Sequence, residues 1–399
     1  VTIDGVRVIG SAQAPIGFAA PIAVSGNAHA TMTPGAIADY ADQLSPAGQG
    51  TATYATVGGS ARLTVSGGMF GGAALGGADG VNGSVGRGAF VLTGNGRLDL
   101  DNVVVNVDSS GVSLFGGATQ LFMTGSTLRS NVNTGAGAGI HAALGTPQIT
   151  LVNSVVTGFA NAYSGSSTGI VVGTFAQPGV AATIAVSNAA LSGNDTGIDV
   201  RSGSTSAGSL LLTGGNLALT GNLFGGLVCS DACSVDVAGG EVSGNGATSA
   251  AVAGSHTFYG GIWLGSTNRS YFLKLRNVQV TGNKSLSTGN TNQSSNSGVT
   301  LAGNATSLYD LGTASSPGNN VIAGNTTGNQ TTGLNVAVAP GVTVRAVGNT
   351  FSAGVQGADG LGKYQLGTAP CGPSGCDLTS TASSGANFRV GSGVLRLAE

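Results

Sequence analysis

One phrase recurs along the chain: a short apolar strand, Gly-Asn, a small-residue turn, then Gly and another apolar strand. It reads Leu191-Ser192-Gly193-Asn194 through Gly197-Ile198-Asp199-Val200, and Leu219-Thr220-Gly221-Asn222 through Gly226-Leu227-Val228. It returns at Val242-Ser243-Gly244-Asn245, Val280-Thr281-Gly282-Asn283 and Ile322-Ala323-Gly324-Asn325. The five Asn stand 28, 23, 38 and 42 residues apart (194, 222, 245, 283, 325). Repetition in this range signals a solenoid, one whose shortest turn is about 23 residues and whose loops vary in length.

The strands in each phrase are too short to bury an apolar face alone. They alternate, as in Ile198-Asp199-Val200 or Leu273-Lys274-Leu275-Arg276, so every second side chain points to one face. Coiling the chain stacks equivalent strands about 4.8 Å apart in parallel ladders around a shared core. Gly-Asn suits the corners: Gly accepts positive φ freely, Asn tolerates it better than most, and stacked Asn amides can bond from coil to coil. The predicted fold is all-β, a single-stranded right-handed parallel β-helix with irregular loop insertions.

Composition agrees. Only 8% of residues are charged, against about 25% in an average soluble domain, while 41% are apolar. Such a chain can bury a large core and is not of the disordered class. The 72 glycines and the many Ser, Thr and Asn break any helical period. Residues 36–44 are the one run that allows even a short helical turn, and 31–58 is the longest expected loop. A solenoid lengthens without starting a second core. Residues 1–370 are therefore assigned to the β-helix, and 371–399 to a C-terminal Cys loop with terminal strands packed on it or extending it.

Fourteen basic and 16 acidic residues, thinly spread, leave a net charge of −2 and no basic stripe in the sequence, which disfavours nucleic acid as a partner. No apolar run is long enough to span a bilayer. The chain opens inside a strand-like phrase, Val1 to Val8, so a removed signal peptide or a longer parent protein is expected. The cysteines form two close pairs, Cys229 with Cys233 and Cys371 with Cys376. Without neighbouring His they make poor zinc sites, and no metal or cofactor is expected. Two local disulfides, implying an oxidising compartment, are the economical reading; free buried thiols are the other.

Late in the chain the wording changes to Tyr309-Asp310-Leu311-Gly312-Thr313-Ala314-Ser315-Ser316-Pro317-Gly318-Asn319-Asn320. Gly348-Asn349-Thr350-Phe351 and Val355-Gln356-Gly357-Ala358-Asp359-Gly360 follow. This pairing resembles bacterial secreted or surface right-handed parallel β-helix proteins of the pectate-lyase-like superfamily. The specific phrases cover about 50 residues, and the general coil pattern covers nearly the whole chain. That superfamily includes polysaccharide lyases and hydrolases, phage tailspikes and adhesin passengers. The resemblance therefore implies the fold and an extracellular or cell-surface setting, not an activity.

Polysaccharide hydrolysis needs two carboxyl groups about 5–10 Å apart. Asp99 and Asp101 on one strand face, and Asp195 with Asp199 about one corner, are the candidate pairs; solvated surface acids are the competing and favoured reading. The polygalacturonase signatures Asn-Thr-Asp, Asp-Asp, His-Gly and Arg-Ile-Lys are absent, as is Arg-x-Pro-x-x-Arg. His29, His141 and His256 are too scattered in sequence to suggest a triad. The best binding candidate is the aromatic and basic stretch 256–276, with Tyr259, Trp263, Arg269 and Tyr271. If Ile262 and Leu264 point inward, Trp263 points outward and could stack on a sugar, while Arg269, Lys274 and Arg276 could meet anionic groups. An aromatic patch covered by a loop is the competing and favoured reading. Both termini read as strands without a capping helix, which raises end-to-end stacking of copies into a fibre. The expectation is a non-enzymatic structural, adhesive or self-assembling surface protein whose partners are itself or surface glycans, with a polysaccharide-binding or polysaccharide-cleaving enzyme as the alternative.

Overall fold

A computed structural model describes residues 2–4, 22–33, 36–37, 53–70, 88–107, 110–130, 137–160, 167–173, 179–201, 208–246, 259–266, 268–285, 298–313, 315–327, 330–331, 334–338, 343–346 and 348–351. It also describes the strands 354–357, 364–366, 377–380, 388–391 and 395–396. No helix occurs among them, and the chain falls into two compact units, Val1–Leu210 and Leu211–Glu399. Each is a parallel β-helix.

In the first unit one coil shows the plan. Arg97–Asp101 forms the first face, Val104–Val107 the second and Val112–Phe115 the third. Arg97 pairs with Gln120 and Gln120 with Gln148 in parallel register, coil lengths of 23 and 28 residues (97 to 120 to 148). The shortest turn is thus the one expected. Alternation puts Leu63, Leu98, Leu121 and Ile149 into the interior as one stacked row, each 0–1% exposed. Phe90, Val112, Ile140, Ile170 and Ile198 make the matching row from the third face, all fully buried. A parallel β-helix reads as near-continuous apolar burial on its inner side because every strand shares one core.

The coil corners divide labour between two kinds of residue. In the Gly-Asn phrase it is Gly that takes the left-handed conformation: Gly193, Gly221, Gly244, Gly282 and Gly324 have φ of 60–63°. The Asn that follows keeps ordinary φ and turns inward. A second set, Asn102, Asn153, Asn188, Asn216, Asn277 and Asn319, has φ of 48–56° and marks the bend between first and second faces. Gly125 and Gly239 occupy that same bend, packed where a Cβ would meet the side chain of Asn102 or Asn216. Asn and Gly share that position because positive φ costs them least.

Two local expectations change. Within the run 36–44 that allowed a helical turn, Ala36–Ile37 is a strand paired with Met69–Phe70 in the second-face ladder, and 38–44 lie outside the described residues. His29–Thr33 and Ala55–Val57 are strands too, so the long loop expected over 31–58 is bounded by ladder positions at both ends.

In the second unit the parallel ladders end in a reversal. Leu334–Val338, Thr343–Arg345 and Thr350–Phe351 form the third, first and second faces of the last parallel coil. Onto them come Phe388–Gly391, Asp377–Ser380 and Leu395–Arg396, all antiparallel. Gly354–Gly357 and Tyr364–Leu366 pair on the far sides of the first two of these. The returning chain is therefore intercalated between two forward layers.

Candidate functional site

The interior of the second unit carries an amide ladder. Asn222 donates its N–H and its Nδ2 to Asn245 Oδ1 at 3.0 and 2.8 Å. Asn245 does the same to Asn283, at 3.1 and 2.8 Å, and Asn283 to Asn325, at 3.0 and 2.8 Å. The second amide hydrogen of Asn245, Asn283 and Asn325 goes to Leu219 O, Val242 O and Val280 O. All four Asn are 0% exposed. Each donor satisfies a backbone or side-chain group that burial would otherwise orphan, which makes these residues structural. Asn320 and Asn349 repeat the arrangement one bend away.

The sequence-chosen binding residues gather beside a disulfide in this unit. Cys229 and Cys233 are joined, their Cα atoms 6.3 Å apart. Cys371, Cys376 and the stretch 256–258 lie outside the described residues. Ile262 and Leu264 point inward at 2% and 0% exposure, and Trp263 between them faces outward, half-buried. Its ring lies 4.6 Å from that of Tyr259, tilted at 54°. The indole also covers the backbone of Gly265, where a Cβ would meet Trp263 Cζ2 at 1.7 Å. Only Gly allows the ring to lie there.

Arg269 pairs at 3.0 Å with Asp231, whose carboxylate is 1% exposed and also accepts the Ala232 N–H at 2.8 Å. Tyr271 is buried. Its hydroxyl donates to Cys229 O at 3.2 Å and accepts the Ser266 N–H at 3.1 Å. Burial pushes the phenol up to about 12, with Asp231 adding and the Ser266 bond and Arg269 opposing. Tyr271 is thus a pin between the disulfide strand and the turn at Ser266. Tyr259, Trp263 and Arg269 are the members that reach solvent.

The candidate acid pairs do not survive as pairs. Asp99 is 8% exposed and clamped by Arg62 and Arg97, whereas Asp101 is exposed and accepts a bond from Asn102 Nδ2 at 3.0 Å. Asp195 is fully buried, and Asp199 forms an ion pair with Arg201 at 2.7 Å. Lys274 and Arg276, expected to meet anions, face Asp236 at 2.9 Å and Asp310 at 2.7 Å. Among the described residues no group of three or more His, Cys, Asp or Glu converges as a metal site would require.

On the outer side of the third face in the first unit, His141 meets the Phe115 ring edge-on at 6.2 Å. Loss of hydration, with the Arg201 charge adding and a backbone bond at Gly173 opposing, lowers its pKa to about 4. The imidazole is therefore neutral in water near pH 7.

The clamp on Asp99 was not foreseen from sequence. Its trace is there nonetheless: Arg62-Leu63-Thr64-Val65-Ser66 and Arg97-Leu98-Asp99-Leu100-Asp101 share one alternation, and they pair residue for residue. Comparison with family models, curated proteins and solved structures gave no match.

Proposed function

We propose that this chain is a non-catalytic β-helix that works outside the cell or on its surface, as a bacterial adhesive scaffold of the pectate-lyase-like kind. The observation that carries the reading is the engagement of its acids: Asp99, Asp199, Asp231, Asp236 and Asp310 each face an Arg or Lys. Each of these carboxylates is engaged by a cation instead of facing a second carboxyl group across a groove, the arrangement glycoside hydrolysis needs. The Cys229–Cys233 disulfide supports an oxidising compartment.

The adhesive contact is assigned to Trp263 and Tyr259 with Arg269 beside them, a sugar ring stacking on the half-buried aromatic pair. End-to-end stacking on the last parallel coil plays no part in this role, because each of its three strands already has an antiparallel partner. The test is a glycan array read with the intact protein and with Trp263→Ala. Binding to a defined glycan set that the variant loses supports the assignment. Equal binding by both proteins, or none by either, contradicts it.

A further inference from the structure

The tripeptide Asn-x-Ser/Thr, the acceptor pattern for N-linked sugar, occurs at eight places in the chain. Asn82, Asn292 and Asn329 lie outside the described residues. Burial and hydrogen bonding withdraw three more: Asn194, Asn283 and Asn325 are 0–1% exposed, and their Nδ2 groups donate to Val156 O, Val242 O and Val280 O. The two that remain, Asn268-Arg269-Ser270 and Asn304-Ala305-Thr306, lie in turns that lead into first-face strands of the second unit.

These two turns are stacked. Phe272 pairs with Leu308 in parallel register, and the same offset of 36 residues (272 to 308, 268 to 304, 270 to 306) carries Asn268 onto Asn304 and Ser270 onto Thr306. The Asn304 N–H donates to Arg269 O at 2.9 Å, and Thr306 Oγ1 stands 2.9 Å from Ser270 Oγ. In the later turn the carboxamide is held by its oxygen alone: Oδ1 accepts the Thr306 N–H at 3.0 Å and the Thr306 hydroxyl at 2.7 Å. Among the described residues the Asn304 Nδ2 has no acceptor, and Ala305 and Thr306 beside it are exposed. Asn268 is exposed as well, but no such bond orients its amide among the described residues. Leu308, which follows the Asn304 turn, is 63% exposed, and its ladder neighbour Phe272 is half-buried on the same outward row.

We infer that Asn304 is an N-glycosylation site, modified by a transferase that uses a sugar activated on a diphosphate. Nδ2 bonds to the sugar C1, the bond from C1 to the diphosphate oxygen breaks, the diphosphate leaves, and the Nδ2 proton passes to a base of the transferase. A carboxamide that loses this proton carries the charge mainly on oxygen, where the two Thr306 hydrogen bonds stabilise it. The attached ring stands beside Leu308, and its C–H face covers an apolar side chain that the described residues leave open to water. The inference goes beyond the role proposed above, since this sugar is carried covalently and is not a ligand of Trp263.

The experiment is glycopeptide mass mapping of the intact protein purified from its own cells, alongside Asn304→Gln, Thr306→Ala, Thr306→Ser and Ser270→Ala expressed in the same cells and checked by thermal melting. The expected result is a hexose or N-acetylhexosamine adduct on the Asn304 amide, and none on Asn194, Asn283 or Asn325. A preassembled oligosaccharide identifies a lipid-linked donor and a lone hexose a nucleotide-linked one; either supports the inference. Asn304→Gln and Thr306→Ala lose the adduct completely. Thr306→Ser keeps it because the acceptor pattern survives, and Ser270→Ala keeps it because only the Asn268 pattern is removed. Trp263→Ala keeps it too, so the modification stands or falls separately from binding at the aromatic corner. An unmodified Asn304 in the wild-type protein, an adduct on Asn268 in its place, or an adduct that survives Thr306→Ala overturns the inference.

Discussion

Asn283 Oδ1 accepts two hydrogen bonds from Asn245, one from the backbone N–H at 3.1 Å and one from the side-chain amide at 2.8 Å. It does so at 0% exposure, while its own amide serves Val242 O and Asn325. Asn283→Ala removes this hub and leaves buried donors on Asn245 and a buried acceptor on Val242. At about 1–3 kcal/mol for each orphaned group, partly relieved by relaxation, a loss of about 3 kcal/mol is expected. Chemical denaturation measures it. Asn283→Asp is expected to be similarly costly, since the carboxylate keeps the acceptor but cannot donate to Val242 O and Asn325.

The other Asn set behaves oppositely. Asn277 is exposed with φ of 56°, and its value lies in the backbone angle. Asn277→Gly is expected to be close to neutral, whereas the β-branched Asn277→Val costs about 1–2 kcal/mol from left-handed strain. Melting curves of the two variants, compared with Asn283→Ala, separate conformational Asn from ladder Asn.

That division marks how far the sequence could be read. The Gly-Asn spacing revealed the coil and the ladder residues, because burial repeats once per turn and the motif sits at a fixed corner. It also located the outward turn of Trp263, which follows from the inward Ile262 and Leu264. The antiparallel intercalation of Asp377–Ser380 and Phe388–Gly391 was illegible, since alternation specifies a strand and not its direction. Nor could the ion pairs be read. Arg62 and Asp99 are 37 residues apart, and only the register of Leu63 against Leu98 joins them. Likewise Asp99 and Asp101 share a face as expected, yet their surroundings come from neighbouring coils.

The Cys229–Cys233 loop is short, so its closure entropy contributes only about 2 kcal/mol. Reducing it is expected to lower global stability modestly but to loosen its neighbourhood, because the Cys229 carbonyl anchors the Tyr271 hydroxyl. Hydrogen exchange should speed up at Ser266, whose N–H is held by that same hydroxyl. Unchanged protection at Ser266 after complete reduction would show that the phenol does not depend on the disulfide.

His141 makes stability depend on pH. Its pKa falls from 6.5 in the unfolded chain to about 4 in the fold, so the unfolded state binds more protons in between. The contribution is fully present above about pH 6.5 and is lost as pH drops toward 4, amounting to at most about 3 kcal/mol. Replacing the ring by His141→Gln should flatten this part of the stability profile. Denaturation midpoints at pH 7, 5.5 and 4.5 for both proteins measure the difference.

The account stands most directly on binding without cleavage. Alginate and a set of neutral glycans are incubated with the protein for a long period, and the chain-length distribution of each polymer is followed by size-exclusion chromatography. Fluorescence of Trp263, the single tryptophan, reports occupancy of the aromatic corner in the same samples. The account predicts a saturable fluorescence change with at least one glycan and no shortening of any polymer. Progressive shortening, lost in a variant of one of the ion-paired acids such as Asp99→Asn, would contradict it.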